Sequence, residues 1–170
     1  MITASAVLTY LLQTASFIGI GLPQDRINHE EVHCLAENVY FEARGESPRG
    51  MYAVAHATLN RVNHPGFPDT VCKVVRQKTF VQRTGKFVCA FSWNCDRSRR
   101  IKFVAKDGSA NTHVIEDYKT ALEVALHTLH GDNTDVTNGA ISFHNPNVSS
   151  PDWASRMRMT VRIGNHAFYK

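Results

Sequence analysis

Two carboxylates in Phe41-Glu42-Ala43-Arg44-Gly45-Glu46 stand four residues apart across a glycine. Leu35, Val39 and Glu42 fall at i, i+4 and i+7, so a helix through them puts Glu42 on or beside its apolar stripe, in the last turn before Gly45. Partial burial disfavours a charged carboxylate, and the negative end of the helix dipole disfavours it further. A carboxyl that keeps its proton near neutral pH is what a general acid must be. The same pattern also fits an amphipathic Glu that reaches out to water. Glu46 begins the next segment, where it can help position a substrate, balance Arg44 or Arg49, or be an ordinary charge near a helix N-terminus.

A second constellation competes. His29-Glu30-Glu31-Val32-His33 fits H-E-x-x-H, which on a helix sets two imidazoles on one face for zinc with a glutamate as base. Against it, the motif occupies a first turn in which Asn28 and Glu31 have capping roles, and no downstream third-ligand motif follows. No metal ligand and no cofactor is therefore expected, with a zinc-dependent hydrolase using His29 and His33 as a rival. His127 and His130, ending their own helix, complement its dipole.

The elements that must hold Glu42 are legible in part. Asn28 opens a helix, with Glu31 placed to close a capping box, and Val32, Leu35, Ala36, Val39, Tyr40 and Ala43 form its stripe. Ser47-Pro48 starts the next helix, which His64-Pro65-Gly66 ends. A short helix over about 69–76 follows, then extended chain from 79 to 91 with a turn near Thr84-Gly85, and a long helix over about 114–130 stopped by Gly131. Beyond it the period changes: 140–144 and 158–163 read as strands, and Gly164-Asn165 suits a tight turn into 166–169. This is an α+β chain, a helical body with a small antiparallel element.

With 170 residues, 43% of them hydrophobic, the chain is long enough for one domain with a real core. Its net charge of +4 suits a polyanionic partner, but no nucleic-acid fold signature surrounds the basic run Arg97-Ser98-Arg99-Arg100-Ile101-Lys102, which reads as a solvated loop. Residues 1–22 hold no charge and are long enough to span a bilayer core, yet they lack a basic start and are diluted by Thr, Ser, Gln and Gly. They read as an export or signal-anchor segment capable of transient membrane association, or else as a buried helix of the domain; the catalytic domain is assigned to 23–170. Cys34, Cys72, Cys89 and Cys95 allow three pairings that spacing does not rank, and four free buried thiols also fit.

The block Cys34-Leu-Ala-Glu-Asn-Val-Tyr-Phe-Glu-Ala-Arg-Gly-Glu46 resembles the SleB-type cell-wall hydrolases, as do Leu59-Asn60-Arg61-Val62, Phe67-Pro68-Asp69-Thr70-Val71-Cys72, Phe91-Ser92-Trp93, Phe143-His144 and His166-Ala-Phe-Tyr169. The resemblance runs in order over roughly 33–170. It implies a lysozyme-like, lytic-transglycosylase-type domain acting on peptidoglycan glycan strands, with the first Glu of E-A-[RK]-G-E, here Glu42, as the acid. With the segment at 1–22, an exported protein working in the periplasm or wall is expected, as a monomer, and the compact layout fits a phage endolysin. Ser92, Trp93, His144 and Asn145, with Glu46, become candidates for the sugar cleft, because Trp stacks on sugar faces while His and Asn hydrogen-bond their substituents. Core packing for Trp93 and a strand-ending turn for His144-Asn145-Pro146 are equally compatible. Asp96 is the candidate second carboxylate for a plain muramidase, or a turn cap. One departure is Ala90, where the family carries Gln. The rivals are a zinc-dependent wall amidase or peptidase using His29 and His33, and a non-catalytic wall-binding module.

Overall fold

The computed structural model describes residues 28–96 and 98–170. The assigned export segment at 1–22 and the domain boundary after it lie outside them. The order of elements is α1 (His29–Ala43), α2 (Pro48–Val62), α3 (Val71–Val75), β1 (Lys78–Val81), β2 (Lys86–Cys89), a 3₁₀ turn (Ser92–Asn94), α4 (Thr112–His130), β3 (Ser142–His144), a second 3₁₀ turn (Asp152–Arg156), β4 (Met159–Ile163) and β5 (His166–Tyr169). This is the α+β architecture the periodicity implies.

Helix α1 is the hub, packing on α4, α2 and α3. Its Leu35, Ala36, Val39 and Ala43 are fully buried, which a continuous apolar stripe requires. Asn28 caps it by accepting from the Glu30 and Glu31 backbone N–H groups. The expected capping box is not made. The Glu31 carboxylate instead accepts from the N–H groups of Val71 (2.6 Å) and Cys72 (3.3 Å), serving the free amides at the start of α3. The helix ends at Ala43 with Gly45 at φ +87°. Ser47 caps α2 through Gly50 N–H, with Pro48 in the first turn.

Two small antiparallel sheets complete the chain. One is the β1–β2 hairpin, in which the exposed rings of Phe80 and Phe87 pair edge-to-face. The other has the order β3-β5-β4, so β5 is its central strand, and all four β5 residues are buried. Of the open cysteine pairings, Cys34–Cys72 and Cys89–Cys95 are formed. The first ties α1 to α3, and the second closes the segment between β2 and the 3₁₀ turn.

Candidate active site

Glu42 sits in the last turn of α1, half-buried. Its carboxyl makes no hydrogen bond within the described residues. Burial raises its pKa above the ordinary 4.5, while the positive charges of Arg99 and, more weakly, Arg61 act in the opposite direction. A group of this kind is free to give its hydrogen bond, and its proton, to something outside the protein.

Arg61 is the least expected neighbour. It is a buried residue of α2 whose guanidinium lies 4.8 Å from the centre of the Phe91 ring and whose Nε donates to the Ile141 carbonyl (2.6 Å). Burial pulls its pKa down to about 10, with Glu42 acting against that, so it remains a cation at neutral pH. Beside it Asn60 donates to Asp135 Oδ2 and to the Ala140 carbonyl, both at 3.0 Å. Asn60 and Arg61 thus hold the chain entering β3. Their place in Leu59-Asn60-Arg61-Val62 is a signal in the sequence, but composition gives no hint that its arginine is buried.

The other sequence candidates fall in three places. Trp93 is largely buried, stacks on Phe41 (centroids 4.6 Å apart) and donates through Nε1 to Asn38 Oδ1 (3.1 Å). Asn38 in turn donates to Thr58 Oγ1 (3.0 Å), a buried polar chain joining α1, α2 and the 3₁₀ turn. Ser92 opens that turn and is exposed, as is Ala90 before it. His144 lies over Tyr169, with Nε2 3.0 Å from the Tyr169 hydroxyl and Nδ1 3.0 Å from the Ser149 carbonyl. Asn145 accepts from Asn147 N–H and shapes the turn after β3. Glu46 is held by the β4–β5 turn: Asn165 donates to it from Nδ2 (2.8 Å) and from its backbone (3.3 Å). His166 Nδ1 is 3.8 Å from Glu46, but burial lowers the His166 pKa more than Glu46 raises it, so the imidazole is neutral and the contact is no ion pair.

Asp96 behaves as a turn cap. Its Oδ1 accepts from Ser98 N–H (2.9 Å) and Ser98 Oγ (2.6 Å), its Oδ2 pairs with Arg99 (3.4 Å), and the Ser98 hydrogen bonds hold its pKa low. Two of the H-E-x-x-H residues are likewise engaged elsewhere. Glu30 pairs with Arg76, and His33 Nδ1 lies 2.6 Å from the Tyr118 hydroxyl. Among the described residues no group of three His, Cys, Asp or Glu side chains converges as metal ligands would.

Residues 45–169 match the family described as Cell Wall Hydrolase. The chain belongs to that family. The matched stretch begins just after Glu42, and α1 enters through individual relatives. The spore cortex-lytic enzyme of Bacillus subtilis (strain 168) is 28% identical over 141 residues, covering 83% of this chain and 38% of that protein. The enzyme of the same description from Halalkalibacterium halodurans is 31% identical over 138 residues, covering 81% and 34%. The chain thus corresponds to little more than a third of these two relatives. Among solved structures, the catalytic domain of the germination-specific lytic transglycosylase SleB from Bacillus anthracis aligns with a TM-score of 0.60 at 28% identity, over 88% of this chain and 100% of that domain. The catalytic domain of the Bacillus cereus SleB protein aligns with a TM-score of 0.57, also at 28% identity, over 88% and 99%.

Proposed function

We propose that this cell wall hydrolase cleaves the bond between N-acetylmuramic acid and N-acetylglucosamine in peptidoglycan, as a lytic transglycosylase with Glu42 as its acid and base. The observation that carries the reading is the Glu42 carboxyl: half-buried, with a raised pKa and no hydrogen-bond partner among the described residues. The SleB catalytic domain, described as a lytic transglycosylase, supports it at the level of the whole domain.

In this mechanism Glu42 protonates the bridging oxygen as the C1–O bond of the muramic residue breaks. The substrate's own acetamido group stabilises the cationic sugar. The Glu42 carboxylate, now favoured by the charges of Arg99 and Arg61, takes the proton from the muramic 6-hydroxyl as O6 bonds to C1. The product is a 1,6-anhydro end, water is not consumed, and the nucleophile is supplied at high effective concentration by its own sugar. A single carboxyl suffices, consistent with Asp96 being spent on its turn. Ser92, Trp93, His144, Asn145 and Glu46 are proposed to border the glycan, Trp93 and Glu46 chiefly by fixing the walls they brace. Two disulfides favour an oxidising compartment outside the cytoplasm, where the wall lies.

Mass spectrometry of digested peptidoglycan tests this. Anhydro-muramic ends are expected, one water lighter than reducing ends; reducing ends throughout would establish hydrolysis. Glu42→Gln should fold and lose about 10²- to 10⁴-fold in rate. Retention of more than half the activity would remove Glu42 from the mechanism.

A further inference from the structure

Beside Glu42 the molecule has a cavity of about 420 Å³. Helix α1 lines it with His33, Glu37 and Phe41, spaced four residues apart on one face. The segment from the 3₁₀ turn to Phe103 supplies Trp93, Asn94, Asp96, Arg99, Arg100, Ile101 and Phe103. Glu42 is not part of the lining, but it follows Phe41 directly, and the charge of Arg99 in the cavity wall acts on it. The cavity therefore lies near Glu42 without including it.

Its charges are unevenly settled. Asp96 and Arg99 pair with each other. Glu37 and Arg100 make no ion pair and no hydrogen bond within the described residues, with each other or elsewhere, although they share the cavity. Phe41, Trp93, Ile101 and Phe103 add apolar surface to the same lining. A neutral sugar would give neither charge an ionic partner. A ligand carrying an ammonium and a carboxylate on a short apolar framework would answer both.

We infer that this cavity is a binding site for the amino-acid stem attached to the muramic residue. Arg100 receives a stem carboxylate, Glu37 receives an ammonium such as that of a diamino acid, and the aromatic wall covers the aliphatic part. The inference rests on the proposed glycan cleavage and adds a selectivity to it: strands that keep their peptides are preferred over bare glycan. Hydrogen bonds to charged groups are worth enough to change affinity about tenfold or more each.

The test compares peptidoglycan strands bearing stems with the same strands stripped by an amidase, using the full chain. Wild type is expected to show a KM at least about tenfold lower on stem-bearing strands. Arg100→Gln and Glu37→Gln should raise that KM about tenfold with kcat unchanged, and should leave the stripped substrate unaffected. Equal KM values for the two substrates would overturn the inference while leaving glycan cleavage intact; failure to cut either strand would overturn the functional reading instead. A measurement without turnover judges the cavity independently: calorimetric titration of a free stem tripeptide ending in a diamino acid. Binding weakened by both variants, with unchanged thermal midpoints, is expected. No binding to wild type, or binding indifferent to both variants, refutes the site.

Discussion

The proposed mechanism has Glu42 give up a proton and then take one back, which needs opposed influences on its carboxyl, and both are present. Burial holds the proton on, and Arg99 and Arg61 steady the carboxylate that remains after transfer. The signs give a test. Catalysis by the protonated form falls as pH rises through the raised Glu42 pKa. Arg99→Gln removes a charge that lowers this pKa, so the alkaline limb of the rate profile should move to higher pH. Because Arg99 is about half exposed, raised ionic strength should move the wild-type limb the same way. A limb that stays put in Arg99→Gln would exclude this coupling. The stability sign is also fixed: with a folded pKa above the unfolded value, the Glu42 contribution is full below the ordinary 4.5 and is lost as pH rises through the raised value. Glu42→Gln should therefore flatten that part of the stability–pH curve, measured by thermal unfolding. The spacing of Glu42 from Leu35 and Val39 made its position readable. Arg61, Arg99 and Glu37 were not, because a buried or cavity-facing charge has no periodicity that separates it from a solvated one.

The boundaries of the helices follow from local chemistry, and local chemistry is what a sequence displays: Asn28, Ser47-Pro48, Gly45 and Gly131 all stand where the chain starts or stops a helix. Partners far along the chain are another matter. Glu31 had a plausible use three residues away and is used instead at Val71 and Cys72, and nothing in the cysteine spacing selects Cys34–Cys72 and Cys89–Cys95 from the alternatives. The β4–β5 turn combines both kinds of information. Gly164 has φ +57°, and a Cβ there would fall on the Glu46 carboxylate. Gly164→Ala should cost about 1–2 kcal/mol from the left-handed backbone alone, and more from the displaced clamp. Asn165→Ala, which keeps the backbone and loses one hydrogen bond to a charged group, should cost about 1.5–3 kcal/mol. Denaturant titration measures both; an Asn165→Ala protein as stable as wild type would show that Glu46 does not brace the hairpin.

Across the molecule, the two disulfides differ in what they constrain. Cys34–Cys72 closes a separation of 38 residues and joins two helices of the core, so its loss should cost about 4 kcal/mol by loop-closure entropy. Cys89–Cys95 closes only 6 residues and should cost about 2 kcal/mol. Paired Cys→Ser variants compared by denaturation test the ranking, and the reverse order would refute it. The shorter bridge lies next to Trp93, so its removal should also loosen the wall that Trp93 and Phe41 share.

The strand order β3-β5-β4 also imposes a sequence of events in time. Strands β4 and β5 are joined by two residues and can pair within about 1–10 μs, whereas β3 has no neighbour in its sheet until β5 arrives. The contact that then fastens this hairpin to the helices, Glu46 to Asn165, spans 119 residues. Closing so long a loop comes late, after the helices have gathered around α1. Glu46→Gln should accordingly speed unfolding and leave the refolding rate nearly unchanged in stopped-flow relaxation. The hairpin clamped by Glu46 is then among the last parts of the protein to form, and a chain caught before that step has its proposed acid in place on a finished helix while the proposed glycan wall is still missing.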